Sequence, residues 1–330
     1  MAFRIGIIGA GGIANAHAAA AKDSQGQVEI AGVADMNREA AEKFASANGA
    51  TAFESAEALI KSAKDHGIGG IVVCTPPSAR LPIVAAALKA KLPVMTEKPI
   101  AHTLADAKKL ESLAKKHKKV VTAIGYCHRF TPAVLKMKDL IAEGRIGRLE
   151  RFENFFACDL PGHQSKWFSD PKKAGGGAFL DMGSHSMDLF HFMVGPSKVV
   201  GAVFDYKWKG RTETGATVLV KSIKKGGPNN PGNVAGVVLS GWAETSRFTV
   251  SVLGDKGMLS YDYENPEVLV FKDLLGKTEN HAIETCGVRF TRQLVAFSKA
   301  IQGSKQPGLA TFADGLAAAA ADAAARKSAK

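Results

Sequence analysis

The chain has 330 residues, enough for two domains of roughly 150 residues, each able to bury its own core. With 46% hydrophobic and 22% charged residues it has globular composition, which excludes intrinsic disorder, and no stretch approaches the ~20 apolar residues of a membrane span. Forty-three Lys and Arg against 31 Asp and Glu give a net charge of +12 and raise the question of nucleic acid. The densest basic run, KKLESLAKKHKK (108–119), answers it, because Leu104, Ala107, Leu110, Leu113 and Ala114 recur at helical spacing. The lysines therefore read as the solvated face of an amphipathic helix with no aromatic interleaving, and no nucleic-acid partner is expected. Cys74, Cys127, Cys158 and Cys286 are scattered without a CxxC pair, which suits a reducing compartment and gives neither a zinc site nor a disulfide framework.

The first residues offer one charge, Arg4, and an apolar run broken by Gly6, Gly9, Gly11 and Gly12. That is a poor secretory signal and a good strand and turn, so a cytoplasmic, uncleaved chain is expected. Strand and helix signals then alternate to about residue 125. FRIGIIG, VEIAGVAD, GGIVVCT, PVMTEK and VVTAIGY read as buried strands, with a helix ending about Lys22, helices near residues 39–47, 55–63 and 81–89, and the lysine-faced helix between them. Such alternation predicts parallel strands joined by crossover helices, a doubly wound sheet covered on both faces.

After Tyr126 the rhythm changes. Helices near 132–143 and 182–192 bracket the strand ERFENFFAC and a Gly-, Pro- and Trp-rich stretch. The strands KVVGAVFDY, TGATVLVK, VAGVVLSGWAE, RFTVSVLG and EVLVFK follow without helices between them, and Phe248, Val250 and Val252 alternate with Thr249 and Ser251 as in a half-buried antiparallel sheet. GGPNNPGN (226–233) reads as a surface loop, and helices near 289–301 and 313–326 close the chain. The expected division is 1–125 and 126–330, with the last helix a candidate to dock back on the first domain.

Gly9-x-Gly11-x-x-Ala14 follows the first strand and opens a helix. The first glycine permits a tight turn, the second lets backbone approach a pyrophosphate, and a small third residue lets the helix pack on the strand. Gly9, Gly11, Gly12, Ile13 and Ala14 are thus candidate cofactor residues. Asp35, at the end of the second strand and 21 residues past Ala14, is placed to accept from an adenosine ribose diol. A carboxylate there repels a 2′-phosphate and favours NAD over NADP, while Arg38 offsets part of that repulsion. The alternative is an ordinary tight turn with an ordinary strand-end Asp.

Thr75 and Pro76, and then Glu97 and Lys98, stand at the next two carboxyl strand ends, where doubly wound sheets bind ligands. Lys98 precedes Pro99, a proline able to fix a turn in the cis form, and would project towards the nicotinamide; by itself the segment reads rather as a solvent-exposed strand-end lysine. Asp181 and His185 are four apart, so one helix face carries both. The pair reads either as a carboxylate orienting a general base, or as a helix-start Asp and a packed histidine. Asp188 and His191 read as structural.

FRIGIIGAGGIANAH, VADMNRE, CTPPSARLPIVAAALKAKLPVMTEKPIA, GYCHRFTPAVLKMKDLIAEGRIG and GGGAFLDMGSHSMDL come in the order and spacing of the Gfo/Idh/MocA oxidoreductases, and the resemblance runs nearly end to end. It implies an N-terminal Rossmann domain and a C-terminal α/β domain with a large, mostly antiparallel open sheet, through which a homodimer or homotetramer would form. It also implies NAD (or NADP) as cofactor and Lys98, Asp181 and His185 as catalytic residues acting on a substrate alcohol. Tyr126, Cys127, His128 and Arg129 match the segment that lines the substrate pocket in relatives, and Trp167 matches a family tryptophan. Arg80, where many relatives carry histidine, and AKLPV, in place of an Ala-Gly turn, depart from the pattern. Three functions follow in order: an NAD-dependent dehydrogenase of a sugar, polyol or glycoside; a redox-neutral NAD-using glycoside-cleaving or epimerising enzyme; and a non-catalytic nucleotide sensor.

Overall fold

A computed structural model describes residues 2–225 and 229–329. The chain begins with β1 (Phe3–Ile8), α1 (Gly12–Lys22), β2 (Val28–Ala34), α2 (Arg38–Asn48), β3 (Thr51–Phe53), α3 (Ala56–Ser62), β4 (Gly70–Val73), α4 (Arg80–Lys89), β5 (Val94–Thr96), α5 (Leu104–Lys116) and β6 (Thr122–Ile124). Local chemistry sets several boundaries. Asn37, Ser55 and Thr103 each accept a backbone N–H three residues on at 3.1 Å and so start α2, α3 and α5, while Gly49 ends α2 in the left-handed region. The lysines of α5 are exposed and Ala107 and Leu110 are buried, as the amphipathic pattern required.

All six strands are parallel, in the order β3-β2-β1-β4-β5-β6. This is the doubly wound order of a Rossmann sheet, and its direction reverses between β1 and β4, opening a crevice at their carboxyl ends. Ile5 and Ile7 of β1 are fully buried, each contributing about 1.5–3 kcal/mol by burial. They pack with Val33, Val72 and Met95 against Ala14 and Ala18 of α1.

The chain continues through α6 (Pro132–Ala142), β7 (Leu149–Asp159), α7 (Pro171–Ala174), α8 (Ser184–Met193), β8 (Ser197–Asp205), β9 (Gly215–Ser222), β10 (Ala235–Gly241), β11 (Ala243–Gly254), β12 (Gly257–Asp262), β13 (Val268–Asp273) and β14 (Thr278–Ala282). It closes with α9 (Arg289–Ile301) and α10 (Phe312–Ser328). The eight strands form one sheet, β14-β13-β12-β11-β7-β10-β9-β8, antiparallel except where β10 runs parallel to β7. Val250 and Val252 are fully buried, matching the alternation read from the sequence, and Phe190 of α8 meets Phe152 edge-on at 5.3 Å.

The segment VAGVVLSGWAE, expected as one strand, is two: β10 stops at Gly241 and β11 starts at Ala243. Between them Trp242 turns its indole inward and is fully buried. The expected loop 226–233 includes residues 226–228, which lie outside the described residues.

Two compact units emerge: 1–130 with 288–316, and 131–287 with 317–330. The first unit takes in α9, whose Leu294 and Phe297 join the same core as α1 and β2. An apolar face on α9 requires a partner, and chain order does not say which sheet supplies it. Among the described residues no helix is long and apolar enough to cross a membrane.

Candidate active site

In the first unit the crevice begins at Gly9. Its φ of +99° and its closeness to the next strand end, where a Cβ would fall 2.9 Å from the Cys74 carbonyl carbon, admit no side chain. Nothing lies within 4 Å of where Gly11 or Gly12 would carry a Cβ, so backbone faces open space at the first turn of α1. Asp35 Oδ2 accepts from the Ala10 N–H and its Oδ1 from the Asn37 N–H, both at 2.7 Å. The carboxylate therefore ties the glycine loop to the end of β2 and keeps a lone pair on each oxygen for a diol. Arg38 lies along α2 in an ion pair with Glu42 at 2.7 Å. Thr75 Oγ1 is buried with no hydrogen-bond partner among the described residues. A glycine cradle open at a helix start, a strand-end carboxylate and an orphaned hydroxyl together fit a dinucleotide.

The Lys98 turn is held from two sides. The Lys98–Pro99 peptide is cis. Beneath it Arg80, 3% exposed, donates to the carbonyls of Thr75 (Nε 3.0 Å, Nη2 2.8 Å) and Lys98 (3.3 Å), and through Nη1 to those of Glu97 and Pro99. One guanidinium fork thus joins both strand-end loops. Burial lowers its pKa to about 10, against the opposing pull of Glu97, and it remains a cation at neutral pH. On the other side His17 Nε2 meets Glu97 Oε1 at 2.8 Å, both residues buried, and Glu97 Oε2 accepts from the Lys98 N–H at 3.2 Å. Burial pushes the Glu97 carboxyl up, but the His17 hydrogen bond and the neighbouring His17, Lys98 and Arg80 hold it below its ordinary value. Glu97 is thus an anion that shapes the turn.

Tyr126, Cys127, His128 and Arg129 are all buried beyond β6. Burial, with the positive charges of Arg289 and Lys98, drives His128 well below the usual imidazole range, so it is neutral at pH 7. Arg129 pairs with Asp314 at 3.0 Å.

In the second unit the predicted helix carrying Asp181 and His185 starts differently. Phe179–Gly183 is a π-helical turn, and α8 begins only at Ser184. Such wide turns recur at functional sites because they displace side chains from α-helical register. The turn hangs on Glu213, which is 1% exposed. Its Oε1 accepts from the N–H groups of Gly177 (2.7 Å) and Phe179 (3.3 Å), and its backbone carbonyl from Ala178 (3.0 Å). Gly177 has no room for a Cβ, which would sit 2.0 Å from the Glu213 carbonyl oxygen. Arg326 of α10 binds both Glu213 oxygens (2.9 and 2.7 Å) and Asp322.

Trp242 Nε1 donates to Asp181 Oδ2 at 3.1 Å. His163 packs against Trp242 at 5.6 Å, and burial lowers its pKa despite the pull of Asp181. Trp167 is half-buried and stacks on Phe168 at 3.9 Å, with Phe168 in turn stacked on His163. His191 meets Ser197 Oγ at 2.8 Å, as a packed histidine would.

Four structural partners were not read from the sequence: His17, Trp242, the Glu213–Arg326 pair, and Arg80 as the clamp of the Lys98 turn. His17 left a signal, a histidine in register with Ala14, Ala18 and Ala21 on a buried helix face, and Arg80 left one only as a departure from the family pattern.

The first unit is a doubly wound domain whose glycine turn fits a dinucleotide, and the second is built on an eight-stranded, mostly antiparallel sheet. The profile described as an oxidoreductase family with an NAD-binding Rossmann fold matches residues 3–125, and that of the GFO/IDH/MocA C-terminal domain matches residues 134–260. The chain belongs to the Gfo/Idh/MocA family. It is 33% identical over 193 residues to the rhizopine catabolism protein MocA of Rhizobium meliloti, covering 58% of this chain and 57% of that protein. It is 26% identical over 279 residues to glucose-6-phosphate 3-dehydrogenase of Bacillus subtilis (80% and 76%), and 28% identical over 227 residues to levoglucosan dehydrogenase of Pseudarthrobacter phenanthrenivorans (62% and 58%). The match thus spans less than two thirds of the first and third of these proteins. A solved levoglucosan dehydrogenase in complex with NADH shares the fold, with a TM-score of 0.88 at 22% identity over 100% of this chain and 97% of that one.

Proposed function

We propose that the protein is an NAD-dependent oxidoreductase that moves a hydride between nicotinamide and a secondary hydroxyl of a sugar, polyol or glycoside. What supports this reading is that a chain of this family carries, in its first unit, a Lys98 turn clamped by Arg80 and Glu97 beside the dinucleotide crevice and, in its second, Asp181 on a π-helical turn with His185 in the first turn of α8. Bound nicotinamide supplies the hydride acceptor. His185 takes the hydroxyl proton as general base, with Asp181 orienting the imidazole. The Lys98 ammonium stabilises the alkoxide as it forms, and Tyr126, His128 and Trp167 contribute to the substrate pocket. The carbon gives up its hydride and becomes a ketone, so one proton and one hydride leave together.

Asp35 favours NAD, since its carboxylate repels a 2′-phosphate and Arg38 is turned to Glu42. We also infer self-association through the open sheet, whose Val203 and Leu219 are 66% and 50% exposed. Light scattering that shows a monomer at micromolar concentration would remove that inference.

The experiment follows NADH absorbance with NAD and NADP against inositols, aldoses and glucosides, for the wild type, Lys98→Met and His185→Ala. Each variant is expected to lose about 10²–10⁴-fold in kcat while NAD binding, measured by calorimetry, is kept. Near-normal oxidation by either variant overturns the assignment. Glycoside cleavage with retained NAD and no net NADH would select the redox-neutral reading.

A further inference from the structure

The second unit holds a cavity of about 520 Å³ outside the residues assigned above. Its floor is the start of β11 beside the end of β7, where Ala243 pairs with Asp159. Two short turns rise around it. In one, Arg211 N–H donates to the Trp208 carbonyl at 3.2 Å; in the other, His163 N–H donates to the Leu160 carbonyl at 3.1 Å. They present Trp208, Arg211, Asp159 and Gln164 to the cavity.

The cavity is coupled to the Asp181 turn through one residue. The Trp208 indole lies nearly parallel to that of Trp242, with ring centres 6.3 Å apart and planes 20° apart. The Trp242 indole N–H is the one that donates to Asp181. The Leu160 N–H donates to the Trp242 carbonyl at 2.9 Å, so the loop edging the cavity is pinned to the same tryptophan. Trp208 of the cavity lining thus reaches the Asp181 carboxylate through the buried Trp242.

The geometry points to a second carbohydrate subsite: the cavity holds a further pyranose ring of a glycoside whose first ring is offered to Asp181 and His185. This rests on the dehydrogenase reading and narrows its substrate to a molecule of two or more rings. The volume lies within the roughly 300–1,000 Å³ of small-molecule sites. An indole face accommodates the apolar C–H face of a pyranose, while a carboxylate, an amide and a guanidinium around it match the hydroxyl edge with both acceptors and donors. The charges of Asp159 and Arg211 oppose one another, which favours a neutral sugar over a phosphate.

The test uses the full chain loaded with NAD. Calorimetry compares cellobiose, maltose and lactose with methyl β-D-glucopyranoside and methyl β-D-galactopyranoside, and NADH absorbance follows turnover of the same sugars. At least one two-ring sugar is expected to bind tenfold or more tighter than the one-ring glycosides. Trp208→Ala and Arg211→Ala should each remove most of that gap and leave one-ring binding within twofold, and Trp208→Phe should keep most of it. Circular dichroism checks folding, and Arg211→Ala carries the test if the tryptophan variant melts early. No two-ring advantage in the wild type, or equal losses for one and two rings in the variants, overturns the subsite. A Trp208-dependent gap without NADH formation would keep the subsite and sink the dehydrogenase reading; NADH from one-ring sugars without a gap would do the reverse.

Discussion

The turn bearing Lys98 and the turn bearing Asp181 are each organised around one buried charged side chain, and the two charges are opposite. Arg80 gathers carbonyl oxygens from Thr75, Glu97, Lys98 and Pro99, whereas Glu213 gathers N–H groups from Gly177 and Phe179. The difference follows from backbone polarity. Strands that end at loops leave carbonyls without partners, and a helical turn at its start leaves N–H groups without partners, so the first calls for donors and the second for an acceptor. Arg80 supplies a rigid fork that reaches several carbonyls at once. Glu213 is itself held by Arg326, so the second turn depends on the end of α10.

The comparison breaks most visibly at Arg80. Arg80→Met would leave several buried carbonyls without a donor, at about 1–3 kcal/mol for each that water cannot reach. We expect a loss of roughly 3–5 kcal/mol in urea unfolding, with Arg80→Lys recovering only a minor part because an ammonium cannot span the carbonyls as a fork does. A midpoint unchanged in Arg80→Met would show that the clamp is ornamental. Glu213→Gln is milder, since the amide oxygen still accepts from Gly177 and Asp322 still neutralises Arg326. A loss of about 1.5–3 kcal/mol is expected, together with a fall in kcat at unchanged NAD affinity. A variant with lowered stability but wild-type kcat would separate Glu213 from the Asp181 turn.

The Glu97–His17 contact gives the first unit a pH signature. The Glu97 carboxyl sits below its ordinary value in the folded chain, so its contribution is fully present above the unfolded carboxylate range and is lost as pH falls through the lowered folded value. Replacing His17 by Gln should lower stability by about 1.5–3 kcal/mol at pH 7, as for a hydrogen bond to a charged group. The gap to wild type should close on acidification. A gap that stays constant down to acid unfolding would mean that His17 acts by packing alone.

How much of this was legible follows from distance along the chain. The strand-turn-helix at Gly9, the strand-end position of Asp35 and the alternation in Phe248–Val252 are local patterns, and a local pattern is written in consecutive residues. Arg80 stood out in the sequence only as a departure from the family's usual residue; its four acceptors lie on two loops, and no spacing announces them. Glu213 and Arg326 are 113 residues apart, so their pairing exists only once β9 and α10 are in place. The π-helical turn escaped because Asp181 and His185 fit α-helical spacing equally well, and the Glu213 contacts that fix the wider turn come from elsewhere. The place of α9 was hidden for the same reason: its face is amphipathic in either unit, and only its packing with α1 and β2 assigns it.

The smallest expected effect concerns the cofactor's adenosine end. Arg38 and Glu42 form a helix-surface pair with side chains 69% and 54% exposed, so Arg38→Ala should change stability by less than about 0.5 kcal/mol. If Arg38 stays with Glu42 when a dinucleotide binds, the NAD-to-NADP ratio of kcat/KM should also move by less than roughly threefold, which is under about 0.7 kcal/mol. Asp35 is the contrasting position, since its carboxylate holds the Ala10 N–H and, in the proposed complex, accepts from the diol. Asp35→Ser should weaken NAD and relieve the repulsion of a 2′-phosphate, shifting the ratio towards NADP by more than Arg38→Ala does. A tenfold loss of NADP use in Arg38→Ala, with NAD use intact, would mean that the guanidinium leaves Glu42 for the phosphate. Cofactor choice would then lie with a mobile surface cation and not with the fixed anion at the end of β2.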